Sequence, residues 1–282
     1  MKKIILLLLI LQLVSASSYS QSQEYKVYAL KFAASSYDFS VGDWVPGGPA
    51  TEKIRFTFFI WLIRGNNGRN VLVDAGFLPD AEDAKEFQIV EYQRPDSALA
   101  KLGLKATDIT DIIISHPHWD HLDGISLFPN ATAWMQKDDY KYFVSDAWQK
   151  DSNNTGFYKR DVLTIVDLNL QGKLKLVNGD NQEIIPGITV YTGSRHTYDS
   201  QYAVVQSGNK KIVLASDNIW LYYQLEQLAP PVQGGSFDPA GYVRAMERMK
   251  KLASETRLII PGHDPRVFKL FPEVVPGVIE IR

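Results

Sequence analysis

An α/β domain is predicted by two kinds of segment that alternate along this 282-residue chain. Short apolar runs such as Ile112-Ile113-Ile114, Ile212-Val213-Leu214-Ala215 and Leu258-Ile259-Ile260 each end in polar turn chemistry, as buried strands do. Stretches with helical spacing lie between them, the clearest being Pro239 to Ser254. At 45% apolar content, with no shift in composition to divide it, the chain forms one domain over 21–282 with a substantial core.

The first twenty residues stand apart. Lys2 and Lys3 precede an apolar run from Ile4 to Val14 and then the small and polar residues Ser15 to Ser20, the pattern of a secretory signal peptide. Eleven apolar residues are too few to cross a bilayer as a helix, and no cysteine follows to carry a lipid. The expected location is therefore periplasmic or secreted, without a stable membrane anchor. Removing the two lysines from the 30 basic residues leaves 28 against 32 acidic ones, a formal charge of -4 that argues against nucleic acid as a partner. Nothing fixes the oligomeric state, a homodimer being one option.

Tyr25 to Phe32 alternates as a first strand. Ala33 to Lys53, with Gly42, Pro46, Gly47, Gly48 and Pro49 around Phe39 and Trp44, is expected to be a long loop carrying aromatics. Phe56 to Arg64 is a strand, Gly65-Asn66-Asn67-Gly68 a hairpin turn, and Asn70 to Asp74 the return. A related pattern recurs from Gln201 to Asn218, a weak duplication in which Asp74 and Asp217 hold related positions. Helices are expected over Asp96 to Leu102, stopped by Gly103, over Lys137 to Val144, and over Pro239 to Ser254. In the last, Asp238 caps and Tyr242, Ala245, Met246, Met249, Leu252 and Ala253 form the buried stripe.

The chemistry gathers in Ser115-His116-Pro117-His118-Trp119-Asp120-His121. At an extended strand end, His116, His118 and Asp120 can project from one side, and His121 adds a second direction as the chain turns. Three imidazoles and a carboxylate this close suit a divalent metal such as zinc and form a cradle for two cations. The chain has five histidines, and the remaining two, His196 and His263, each sit in a tight turn directly after an apolar run. Asp217 ends another such run. Taken alone it reads as a turn residue, but beside the cluster a carboxylate bridging two ions is favoured. Asp74 is expected to orient a ligand histidine rather than bind metal.

These residues resemble the metallo-β-lactamase superfamily in the His-x-His-x-Asp-His run, a histidine 75 residues later, an aspartate 21 beyond it and a final Gly-His. The resemblance implies an αββα sandwich of two mixed sheets flanked by helices. It also implies His116, His118 and His196 on one ion, Asp120, His121 and His263 on the other, and Asp217 between them. Within the superfamily the chain looks most like the N-acyl homoserine lactonases, through Val27-Tyr28-Ala29-Leu30, Val71-Leu72-Val73-Asp74-Ala75-Gly76, His118-Trp119-Asp120-His121 and Pro261-Gly262-His263-Asp264-Pro265. Such an enzyme opens a lactone ring with a metal-bridging hydroxide, two zinc ions serving as cofactors and an acyl-homoserine lactone as the small-molecule partner; Asp120 is the candidate proton carrier. One departure is Trp220, where some of these lactonases place a tyrosine. Trp119, Trp220, Tyr222 and Tyr223 are the aromatic candidates for substrate contact. Rival substrates on the same fold are a β-lactam, a thioester or a phosphoester, and for the last the single basic candidate is Arg195.

Overall fold

The computed structural model describes residues 24–150 and 155–282, so the expected leader at 1–20 lies outside the described residues. Among them the strands are β1 (Tyr25–Ser40), β2 (Lys53–Gly65), β3 (Asn70–Val73), β4 (Ile89–Val90), β5 (Asp111–Ile113), β6 (Thr132–Gln136), β7 (Leu174–Val177), β8 (Gln182–Ile185), β9 (Ile188–Thr192), β10 (Gln201–Ser207), β11 (Lys210–Ser216), β12 (Ile259–Pro261), β13 (Glu273–Val275) and β14 (Val278–Ile281). The helices are α1 (Val41–Trp44), α2 (Pro95–Leu99), α3 (Trp119–Leu122), α4 (Lys137–Val144), α5 (Lys159–Leu170), α6 (Tyr222–Gln227), α7 (Pro239–Leu252) and α8 (Val267–Leu270). None is long and apolar enough to cross a membrane.

Two mixed sheets result. One runs β13-β14-β1-β2-β3-β5-β6-β7 with β4 beside β1, and the other β12-β11-β10-β9-β8. Side chains alternate along a strand, so each face of β1 can bury a different partner. Tyr25, Val27 and Ala29 share a core with Val190, Val205 and Ile212 of the second sheet. Tyr28, Leu30 and Phe32 pack instead with Leu99, Phe143 and Ile165 from α2, α4 and α5. On the far side α7 packs against β11, burying Tyr242, Ala245, Met246 and Met249. Each buried methionine there contributes roughly 1.5–3 kcal/mol of apolar burial. The layers are helix, sheet, sheet, helix: the αββα sandwich is observed.

Several elements differ from expectation. Of the loop expected over Ala33 to Lys53 only residues 45–52 are irregular: β1 continues to Ser40 and pairs with β2 as far as Ser40 opposite Lys53. Bulges between Lys31 and Ala33 and between Ala34 and Asp38 break the alternation that reveals a strand. α1 follows, capped by Ser40 and Asp43. α2 begins at Pro95, so Asp96 lies inside its first turn rather than at the cap, while Gly103 closes the segment at φ 73°. α7 is capped by Asp238, whose side chain accepts from Gly241 N. The duplication is real in topology, since each antiparallel hairpin is followed by a parallel neighbour, β5 beside β3 and β12 beside β11. Its equivalence shifts by one residue: the strand-end residues with positive φ are Asp74 at 64° and Ser216 at 47°.

Candidate metal centre

Parallel neighbours bring their C-terminal ends to one edge, and that edge is where the polar residues gather. β3 ends at Asp74, β5 leads into His116, β11 leads to Asp217 and β12 to His263, while the turn between β9 and β10 carries His196. His118, at φ -69° and ψ 153°, is extended, and the chain then enters α3. Asp120 therefore projects from the first turn of a helix, not from a strand end beside His116 and His118, and it faces His121 and His263. Gly262 is required by close approach: a Cβ there would lie 2.4 Å from Asp217 Oδ1.

Seven side chains converge. Ligand-type atoms of His116, His118 and His196 lie within 4.8 Å of one another, as do those of Asp120, His121 and His263, and those of His116, His121 and Asp217. Asp217 stands between the groups. Its Oδ1 is 2.9 Å from His263 Nε2 and 3.4 Å from His121 Nε2, while its Oδ2 is 3.4 Å from His196 Nε2 and 3.9 Å from His116 Nε2. Asp120 Oδ2 lies 3.3 Å from His121 Nε2 and 3.5 Å from His263 Nε2.

The remaining ring nitrogens set the tautomers. His121 Nδ1 is 2.8 Å from Asp74 Oδ2, His196 Nδ1 is 2.9 Å from the Gly235 carbonyl and His263 Nδ1 is 3.2 Å from that of Thr57. These oxygens only accept, so each Nδ1 carries a proton and each Nε2 is the nitrogen that faces the cluster. Asp74 also accepts from Ser115 N at 2.8 Å, Ser115 Oγ at 2.9 Å and Ser216 Oγ at 2.8 Å. Its contacts with His121 and Ser216 tie the two sheet edges together.

Such an arrangement fits divalent metal. His116 Nε2, His121 Nε2 and Asp217 Oδ1 are buried with no hydrogen-bond partner. Each such orphan costs about 1–3 kcal/mol, so three aimed at one place call for a cation. Burial, together with the neighbouring rings, pushes His116 well below the usual histidine range and His118 down to about 3. Both stay neutral, which is the ligating form. Burial opposes charge on Asp217 as well, but His263 and His121 outweigh it and hold that carboxyl well below its usual range. At His121 burial is outweighed by Asp120, Asp217 and Asp74, which raise it well above the usual value.

Above the cluster opens a cavity of about 490 Å³. His118, Asp120, His196, Asp217 and His263 form its polar floor, and Trp44, Phe56, Phe87, Trp119, Phe157 and Phe237 its apolar walls. Of the four aromatic candidates for substrate contact, Trp119 and Trp220 line it and Tyr222 and Tyr223 do not. The chain enters α6 at Tyr222, which turns that ring into the inter-sheet core under Arg266, while Tyr223 packs beside Val41 and Leu221. Trp220 also donates from Nε1 to Asp217 Oδ2 at 2.9 Å. The segment from Leu228 to Phe237 passes beside the cluster, as expected from its place after Asp217, and supplies the Gly235 carbonyl. The sequence reading missed Phe56, Phe87 and Phe157, since aromatic residues on strands and turns read equally as core. It also missed Ser115 and Ser216, although each directly precedes a cluster residue.

A family model described as the metallo-beta-lactamase superfamily matches residues 59–263. An N-acyl homoserine lactonase from Bacillus cereus is 25% identical over 195 residues, covering 67% of this chain and 70% of that protein. One from Bacillus thuringiensis is 23% identical over 192 residues, with the same coverage. A solved N-acyl homoserine lactone hydrolase, with the product N-hexanoyl-L-homoserine bound at its catalytic metal center, superposes with a TM-score of 0.70 at 19% identity, covering 92% of this chain and 100% of that one.

Proposed function

The chain belongs to the metallo-β-lactamase superfamily, and from that premise we propose that it is an exported dinuclear zinc lactonase that opens N-acyl homoserine lactones and so quenches a diffusible signal. The observation that carries the reading is the pair of three-residue groups, His116 with His118 and His196, and Asp120 with His121 and His263, on either side of Asp217 beneath an aromatic cavity. Lactonase relatives support the substrate, and the apolar run after Lys2 and Lys3 supports export.

When bound, the ions supply Lewis acidity for the ester carbonyl and make hydroxide available near neutral pH, since coordination lowers the pKa of water to about 7. The residues around them do the rest. Asp217 presents one oxygen to each group, and Asp74, Gly235 and Thr57 hold the histidine rings in place. Water adds to the lactone carbonyl carbon and the ring C–O bond breaks. Asp120, half-buried in the cavity floor, takes the proton of the attacking water and passes it to the departing oxygen. The phosphoester alternative needs a basic contact, but Arg195 lies over the rings of Tyr198 and Phe237 and lines a neighbouring cavity with Asp199 and Asp238.

The test is proton release by the zinc-loaded mature protein from short- and long-chain acyl-homoserine lactones, beside nitrocefin and bis-p-nitrophenyl phosphate. Lactone opening that His118→Ala abolishes is the expected result. Intact lactones with turnover of either other compound would overturn it.

A further inference from the structure

The cavity above the metal centre carries charge of one sign on its walls. Apart from Asp120 and Asp217 in its floor, its charged lining residues among the described ones are Asp83 and Glu86, and no described lysine or arginine lines it. Both carboxylates belong to a short segment wedged against the aromatic wall. Phe87 packs on Phe56 at 5.1 Å, on Trp119 at 6.1 Å and on Trp44 at 6.3 Å. Asp83 N donates to Tyr158 Oη at 2.8 Å, and the Tyr158 ring stacks on Trp119. The Glu86 carbonyl accepts from the Tyr37 hydroxyl at 2.7 Å. Among the described residues neither carboxylate is paired with a lysine or arginine. Arg195 lines the neighbouring cavity with Asp199 and Asp238.

Resting on the lactonase reading, we propose that Asp83 and Glu86 select the acyl tail by charge, so that the substrates are lactones with neutral or cationic tails and those with anionic tails are excluded. A lactone seated on the polar floor must send its tail out past this wall. There a tail cation meets two carboxylates and the electron-rich faces of Trp44 and Trp119, both attractive. A tail carboxylate meets like charge from the same two residues and the same ring faces, both repulsive.

Three N-acyl homoserine lactones of equal tail length, ending in a methyl, an ammonium and a carboxylate group, are compared by kcat/KM on the zinc-loaded full chain. The ammonium compound is expected to exceed the carboxylate compound at least tenfold. Raising ionic strength from about 20 mM to about 500 mM, where the screening length falls well below 10 Å, should compress that ratio severalfold. In the double variant Asp83→Asn, Glu86→Gln it should fall to within about threefold, since both positions are partly or fully exposed and no buried partner is lost. Equal turnover of the two charged compounds, or a ratio that survives in the variant, would overturn the proposal. If none of the three is opened, the lactonase reading fails by itself, and the dissociation constants of the same compounds, measured by calorimetry on both proteins, decide the charge selection by the same criteria.

Discussion

Trp220 stands three residues beyond Asp217 and donates its indole N–H to that carboxylate at 2.9 Å. A hydrogen bond from outside fixes the orientation of a ligating carboxylate, and loss of such partners typically costs 10- to 100-fold in metal affinity. Trp220→Phe keeps an aromatic ring against Trp44 and His196 but removes the donor. Zinc affinity, measured by chelator competition, should fall about tenfold or more, while the melting temperature of the metal-free protein moves little. Affinity within threefold of wild type would mean that Trp220 is only wall. The converging cluster was legible because five of its seven residues are the chain's only histidines, and Asp120 and Asp217 stand next to histidine or at a strand end. Tyr222 and Tyr223 were misjudged because their direction depends on where α6 begins, and Leu221 gives no capping signal in its residue type.

At the scale of elements, α3 and α5 are clamped by acidic groups behind the metal centre. Arg160 of α5 makes paired bonds of 2.5 and 2.7 Å to Asp123, just beyond α3, and Asp161 lies buried beside them. Burial, with Asp123 next to it, pushes the Asp161 carboxyl up to about 8. Its folded value is above the unfolded one of about 4, so the folded state holds an extra proton between them. Stability then falls as pH rises from about 4 through about 8. Asp161→Asn removes that dependence and should stabilise the protein at pH 9 relative to wild type by on the order of 2 kcal/mol, with little difference at pH 5. Thermal melts of both proteins across that range check it; parallel curves would refute it. α5 itself escaped the sequence reading, since Leu163 and Leu170 lie on its outer face, 72% and 81% exposed, and blur the apolar stripe. α7 was readable for the opposite reason: an Asp cap, a proline in the first turn and an unbroken buried face agree.

The whole molecule is built to bring two sheet edges together, and the metal centre is where they are joined. His116, His118, Asp120 and His121 come from the first sheet's edge, and His196, Asp217 and His263 from the second. With no cysteine in the chain, no disulfide reinforces that junction. A cation seated there cross-links both halves and satisfies His116 Nε2, His121 Nε2 and Asp217 Oδ1, all buried without partners. Binding to the folded state alone stabilises by about 4 kcal/mol when the ligand is at a thousand times its dissociation constant. For a chain of this length each kcal/mol moves the melting temperature by roughly 2–4 °C, so saturating zinc should raise it by about 10 °C over chelator-treated protein. The gain should shrink as pH falls, because His121, which Asp120, Asp217 and Asp74 raise against the opposing effect of burial, must release a proton to bind. His118→Ala, which removes a ligand candidate from one group only, should keep part of the gain, whereas His116→Ala combined with Asp217→Asn should abolish it. A melting temperature indifferent to zinc in the wild-type protein would refute the junction role, since the three orphaned atoms would then be satisfied by something other than metal.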